Sequence, residues 1–206
     1  MTVRTARADA SATLLGTLTA GTALDRAIQV AAVLFMTALT AAAAQVSIPL
    51  PFTPVPFTLT PMIVLLGGAA LGSRLGMASQ VLYLLLGIAG VPVFAPSPVL
   101  PQGIFRLLGP TGGYLMSYPF AAFLTGALAE RGFDRRYVTS VVAMTAGLAV
   151  IFAGGVTWLA WFARPAAAGL DVALRTGLYP FVPADLVKIC VAAAVMPAVW
   201  RLVGRT

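Results

Sequence analysis

The chain has 206 residues, 60% of them hydrophobic and 9% charged, with a net charge of +7, one cysteine and no histidine. A soluble domain carries about 25% charged residues, so this chain lacks the polar surface to cover a water-soluble globule and reads as an integral helical membrane protein. Its single thiol, Cys190, excludes an intrachain disulfide or a thiolate metal cluster, and the absence of histidine removes the commonest catalytic base and metal ligand.

The first 26 residues hold Arg4, Arg7, Asp9, Asp25 and Arg26 among Ser, Thr and Ala, a short polar tail rather than a cleavable signal. Residues 27–206 read as one membrane domain without internal repeats. It contains six apolar segments, at about 27–46, 58–73, 75–94, 107–129, 138–162 and 178–200, each bounded by Gly, Pro or Arg. A spanning helix needs roughly 20 residues, so the short second segment tilts little or starts inside the proline-rich stretch before it. The expected fold is an all-α bundle of six transmembrane helices.

An even number of spans puts both termini on one side. Arg4, Arg7, Arg26, Arg74, Arg131, Arg135, Arg136, Arg201 and Arg205 gather there, nine against the three opposite, Arg106, Arg164 and Arg175. The positive-inside rule then places both termini in the cytoplasm of a cell membrane, as a multi-pass protein of bacterial or archaeal type. The positive charge is topological on this view, and nucleic acid is not an expected partner.

Three connections fall on the outer side: "PLPFTPVPF" (49–57), "VPVFAPSPVLPQGIF" (91–105) and "ARPAAAGLDVALRTG" (163–177). The first two are stiff, proline-rich and weakly charged. Non-helical backbone at membrane depth is tolerated where protein or a cavity surrounds it, so these loops suit a lid over a small apolar pocket. The plainer alternative is that the prolines only end helices and make tight turns.

"PADLVKICVAAAV" (183–195) carries the most chemistry. Asp185 and Lys188 are three apart and share a helix face; Lys188 is the sole lysine. Pro183 suits a first helical turn, and Asp185 beside that N-terminus is favoured by the helix dipole. Charges inside a span cost about 2.5–3.5 kcal/mol each on insertion scales, so these two face a cavity, a ligand or each other. A self-neutralising ion pair is the structural alternative to a polar anchor in an outward-facing pocket.

"GPTGGYL" (109–115) opens the fourth helix. It lacks the Gly-Lys-Ser/Thr of a phosphate loop. Gly112 and Gly113 allow close approach of a ligand or a neighbouring helix, and Thr111 and Tyr114 offer hydrogen bonds. Small residues spaced by four, as at Ala27 and Ala31, Ala38 and Ala42, and Gly68 and Gly72, permit helix contact. Trp158 and Trp161 fit a membrane interface, and the Arg131–Arg136 cluster a topology signal.

Enzymatic readings fail on inventory. There is no His-Glu-x-x-His, no Ser–His pair and no second aspartate within a span, since Asp171 is expected in a loop. No nucleotide-binding signature occurs, and no cofactor or metal is expected. A channel would show polar rings at several helices.

The order "IPLPFTPVPFTL", "GVPVF", "LGPTGGYL", "ADLVK" resembles the BioY family, the biotin-specific substrate-binding (S) components of energy-coupling-factor (ECF) transporters. The resemblance runs from about Ala27 to Arg201. It implies a six-helix bundle in the lipid bilayer, biotin capture from the outer face under the helix 1–2 and 3–4 loops, and no ATPase activity of its own. Expected partners are a transmembrane coupling subunit and two ATPase subunits. It also implies that Asp185 and Lys188 meet the polar groups of biotin, with Gln102 the only amide in the helix 3–4 loop. The role of a glutamine common in the family at the position of Thr60 does not carry over. Phe52, Thr53, Phe57, Phe94, Thr111, Gly112 and Tyr114 are the remaining binding candidates, and Ala38 and Ala42 the candidates for coupling-subunit contact. The alternatives are an S component for another small vitamin and a membrane scaffold with no transport role.

Overall fold

The computed structural model describes residues 13–19, 25–97, 100–163 and 169–203. Arg4, Arg7, Arg164 and Arg205, and residues 1–12 and 20–24 of the 1–26 tail, lie outside them. Nine helices and one two-strand ladder follow in order among the described residues. They are α1 (Leu14–Thr19), α2 (Asp25–Gln45), β1 (Ser47–Ile48), β2 (Phe57–Thr58), α3 (Thr60–Leu71), α4 (Ser73–Ile88), α5 (Phe105–Leu108), α6 (Gly112–Ala129), α7 (Tyr137–Trp161), α8 (Leu170–Gly177) and α9 (Val182–Val203).

Helices correspond to the six apolar segments, but among the described residues only Arg26–Gln45, Tyr137–Trp161 and Val182–Val203 are long and apolar enough to span by length and composition. The others differ for local reasons. The chain turns between α3 and α4 at one residue, Gly72, whose φ of 88° suits glycine. α4 stops at Ile88 rather than near 94, where Gly90 (φ 93°) and Pro92 end it. The expected helix 107–129 is broken at Gly109–Pro110 into α5 and α6, because a residue before proline avoids the helical region.

Two connections expected to be irregular are ordered. β1 and β2 pair antiparallel, Ser47 with Thr58 and Ile48 with Phe57, closing the proline segment into a hairpin. Part of the connection 163–177 forms α8, where Asp171 in the first turn and Arg175 in the last complement the helix dipole and pair at 3.0 Å. Asp171 is therefore helical, not in a loop.

α6 is the central helix and packs on α3, α4 and α7. A Cβ on Gly68 would strike the Ala122 carbonyl, one on Gly126 would strike Gly72, and one on Gly76 would lie 2.8 Å from the Gly68 Cα. The backbones of α3, α4 and α6 therefore touch, which small residues permit in a membrane where apolar burial drives little association. Polar links reinforce the bundle. Thr37 donates to the Ser79 carbonyl at 2.9 Å, joining α2 to α4. The Glu130 carboxylate accepts from the Ser73 N–H at 2.7 Å and hydroxyl at 2.8 Å, capping the start of α4. Within the Arg131–Arg136 cluster Asp134 is buried and accepts from the Trp200 indole at 2.6 Å, with the Arg135 guanidinium 4.6 Å from that ring.

Candidate functional site

α9 starts at Val182 with Pro183 in its first turn, and Asp185 follows with its N–H on the Phe181 carbonyl at 2.8 Å. The Asp185 carboxylate is buried, 4% exposed. Lys188, one turn on, donates to Asp185 Oδ1 at 2.7 Å and to the Thr58 carbonyl at 2.6 Å. Its ammonium lies 3.5 Å from the centroid of the Phe57 ring. The three donor directions of the ammonium are thus spent on a carboxylate, a carbonyl and an aromatic face. Asp185 is in the opposite state: an ionised carboxylate has about four acceptor sites and Lys188 uses one.

Both side chains line a cavity whose walls come from separate elements. The hairpin supplies Val55, Pro56 and Thr58, and α3 supplies Thr60 and Pro61. Aromatic groups from α4, α6, α7 and the connections after α4 and α8 close the rest: Tyr83, Phe94, Tyr114, Tyr118, Phe152 and Phe181. Phe94 stands edge-on to Tyr83 with centroids 5.4 Å apart, and no side chain fits at Gly87 beneath its ring.

Arg106, on α5, also lines this cavity and is 5% exposed. Its guanidinium donates to the Ala95 carbonyl, and its buried Nε has no hydrogen-bond partner. The cavity therefore holds one carboxylate, one ammonium and one guanidinium, a net +1. A buried uncompensated charge is costly, so the arrangement fits a ligand that brings one negative charge.

Of the residues expected at the site, Asp185, Lys188, Thr111, Tyr114 and Phe94 line the cavity. Phe57 sits at its edge under Lys188. The others do not join the wall. Phe52 points out from the hairpin tip, 60% exposed. Thr53 donates its hydroxyl to the Thr176 carbonyl at 2.6 Å. Gly112 serves packing, since a Cβ there would strike the Leu107 carbonyl. Gln102 donates to the Phe94 carbonyl at 3.4 Å, supporting a wall residue rather than forming the wall. Ala38 and Ala42 lie exposed on α2, away from the cavity.

Sequence reasoning missed Arg106, Tyr83, Tyr118 and Phe181. In the sequence Arg106 counts only among the charges of the outer side; its signal is a lone cation beside an apolar run. The tyrosines sit within apolar segments, where a polar tip is itself a hint. Trp158 does more than mark an interface: its indole donates to the Gly109 carbonyl at 2.9 Å and staples α7 to the start of α6.

A helical bundle with span-length apolar helices, enclosing a charged and aromatic cavity under a hairpin, defines a membrane protein of the ligand-capturing kind. The chain belongs to the BioY family, whose model matches residues 11–205. It is 39% identical over 181 residues to the probable biotin transporter BioY of Pyrococcus horikoshii, covering 88% of this chain and 99% of that protein. It is also 39% identical over 159 residues to the biotin transporter BioY of Thermotoga maritima, covering 77% and 88%. The crystal structure of the S-component for biotin from an ECF-type ABC transporter superposes with a TM-score of 0.77 at 25% identity, covering 87% of this chain and 94% of that one.

Proposed function

We propose that this protein is the membrane biotin-binding component of an ECF-type transporter and captures biotin in the cavity between the hairpin and α9. The observation that carries the reading is the buried Asp185–Lys188 pair on the cavity wall with Arg106 as a second buried cation. The ureido ring of biotin presents two N–H donors, and its valerate ends in a carboxylate. Asp185 has acceptor capacity to spare and takes the ureido N–H groups. Lys188 neutralises and orients Asp185 and fastens β2 over it through Thr58. The free donor of Arg106 answers the carboxylate, which brings the net charge of the cavity to zero. The ring system lies against Phe94, Tyr83 and Tyr114, with Thr111 offering a further hydrogen bond.

The same proposal covers the membrane setting. α2, α3, α4, α6, α7 and α9 act as six spans of one membrane domain, residues 27–206. Both termini and the 1–26 tail lie in the cytoplasm, and the hairpin faces outward from the cell membrane. The protein is no enzyme; ATP hydrolysis belongs to two partner ATPase subunits, reached through a transmembrane coupling subunit that docks on α2 beside Ala38 and Ala42. Isothermal titration of biotin into biotin-depleted, detergent-purified protein tests the ligand, with thiamine and riboflavin as controls. One-to-one binding confined to biotin is expected. A folded protein that gives no heat with biotin, or prefers another vitamin, overturns the assignment.

A further inference from the structure

α8 ends next to the cavity with carbonyls that its own helix cannot use. Two of them are answered by side chains from different parts of the site. The Thr53 hydroxyl, at the hairpin tip, donates to the Thr176 carbonyl at 2.6 Å. The Tyr114 phenol, on the cavity wall, donates to the Gly177 carbonyl at 2.7 Å. Thr53 also accepts the Val55 N–H at 3.1 Å, which folds the tip so that Val55 and Pro56 enter the wall. Thr53 itself is not part of that wall.

We infer that α8 is the second half of the lid, and that Thr53 is a positioning residue whose hydroxyl holds hairpin and helix shut as one unit. The inference rests on the proposed reading of the cavity as the biotin site. The hairpin cannot lift Val55 and Pro56 off the cavity without breaking the Thr53–Thr176 bond. The same hydroxyl shapes the turn that places those two residues, so its loss both unfastens and loosens the lid. Thr53 therefore sets how long a ligand stays without touching it.

The test compares Thr53→Val, which keeps the volume but loses both hydrogen bonds, with Thr53→Ser, which keeps them. In displacement kinetics with biotin, Thr53→Val should raise the dissociation rate about fivefold for each hydrogen bond lost. Its association rate should not fall, and Thr53→Ser should behave as wild type. Hydrogen–deuterium exchange on ligand-free protein supplies an arm that needs no ligand: Thr53→Val should speed exchange in both 49–57 and 170–177. An unchanged dissociation rate, or faster exchange confined to 49–57, overturns the inference. If the wild type fails to bind biotin, the ligand assignment has failed, and the exchange result alone decides the latch.

Discussion

The cavity and the seam below it are made from the same four helices by opposite means. In the halves beside the cavity, Thr60 of α3, Tyr83 of α4, Tyr114 and Tyr118 of α6, and Phe152 of α7 line a charged space. In the other halves, Gly68 of α3, Gly76 of α4, Gly126 of α6 and Gly147 of α7 let the same helices close until a single Cβ does not fit. Large residues line the void, and residues without side chains build the clamp, which between α6 and α7 continues alongside the cavity at Gly113 and Gly154. Stability belongs to the clamp, and the cavity spends some of it, because a buried ion pair is often no more stable than an apolar pair of the same size.

The sharpest way to break this division is to remove both charges at once. Asp185→Asn with Lys188→Met removes the pair as a unit and leaves the Arg106 charge as it is in the wild type, so the protein should melt at or above the wild-type temperature. Biotin binding should nevertheless fall by about a thousandfold or more, as for a site whose buried polar groups lose their partner. Thermal unfolding and titration of the same preparation check both halves; a variant that fails to fold would show the pair to be structural.

The converse change is Gly68→Val, which pushes into the Ala122 backbone. It should cost about 3 kcal/mol, the upper part of the overpacking range, and lower the melting temperature by roughly 10 °C. The fraction that remains folded should bind biotin with wild-type affinity.

Arg106→Gln sharpens the assignment inside the cavity. It should weaken biotin about tenfold, the scale of one charge-assisted hydrogen bond, and leave biotin methyl ester unaffected. Equal loss for both ligands would place the carboxylate elsewhere.

The smallest effect concerns Asp134, outside the spans, whose carboxyl burial pushes above the ordinary aspartate range despite the Trp200 hydrogen bond and Arg135. Its stabilising contribution is fully present below the unfolded-state pKa of about 3.9 and is lost as pH rises through the folded value. Asp134→Asn keeps an acceptor for Trp200 and should therefore raise the melting temperature at pH 7. The gain should shrink as the pH is lowered towards 4. A destabilised variant at pH 7 would mean that the attraction of Arg135 outweighs burial.

Asp185 and Lys188 were legible in the sequence because two charges one helical turn apart are rare in an apolar run. The apolar helices were legible from run length and from the glycines and prolines between them, although only three of them have spanning length among the described residues. Arg106 was not, because a loop position gives no depth: the same residue type marks topology when exposed and a site when buried. Phe52 and Phe94 make the same point, each flanked by prolines, one 60% and the other 1% exposed; the hand of a turn decides which ring faces inward. α8 was hidden because its eight residues fall short of the 11–18-residue window in which helical periodicity is read.

A structure of the protein with biotin bound tests the central claim most directly. The ureido nitrogens should lie within hydrogen-bonding distance of the Asp185 carboxylate, about 2.7–3.2 Å, and the valerate carboxylate should lie beside Arg106. Biotin held elsewhere, or turned so that its ureido ring meets Arg106 and its carboxylate Lys188, would contradict it.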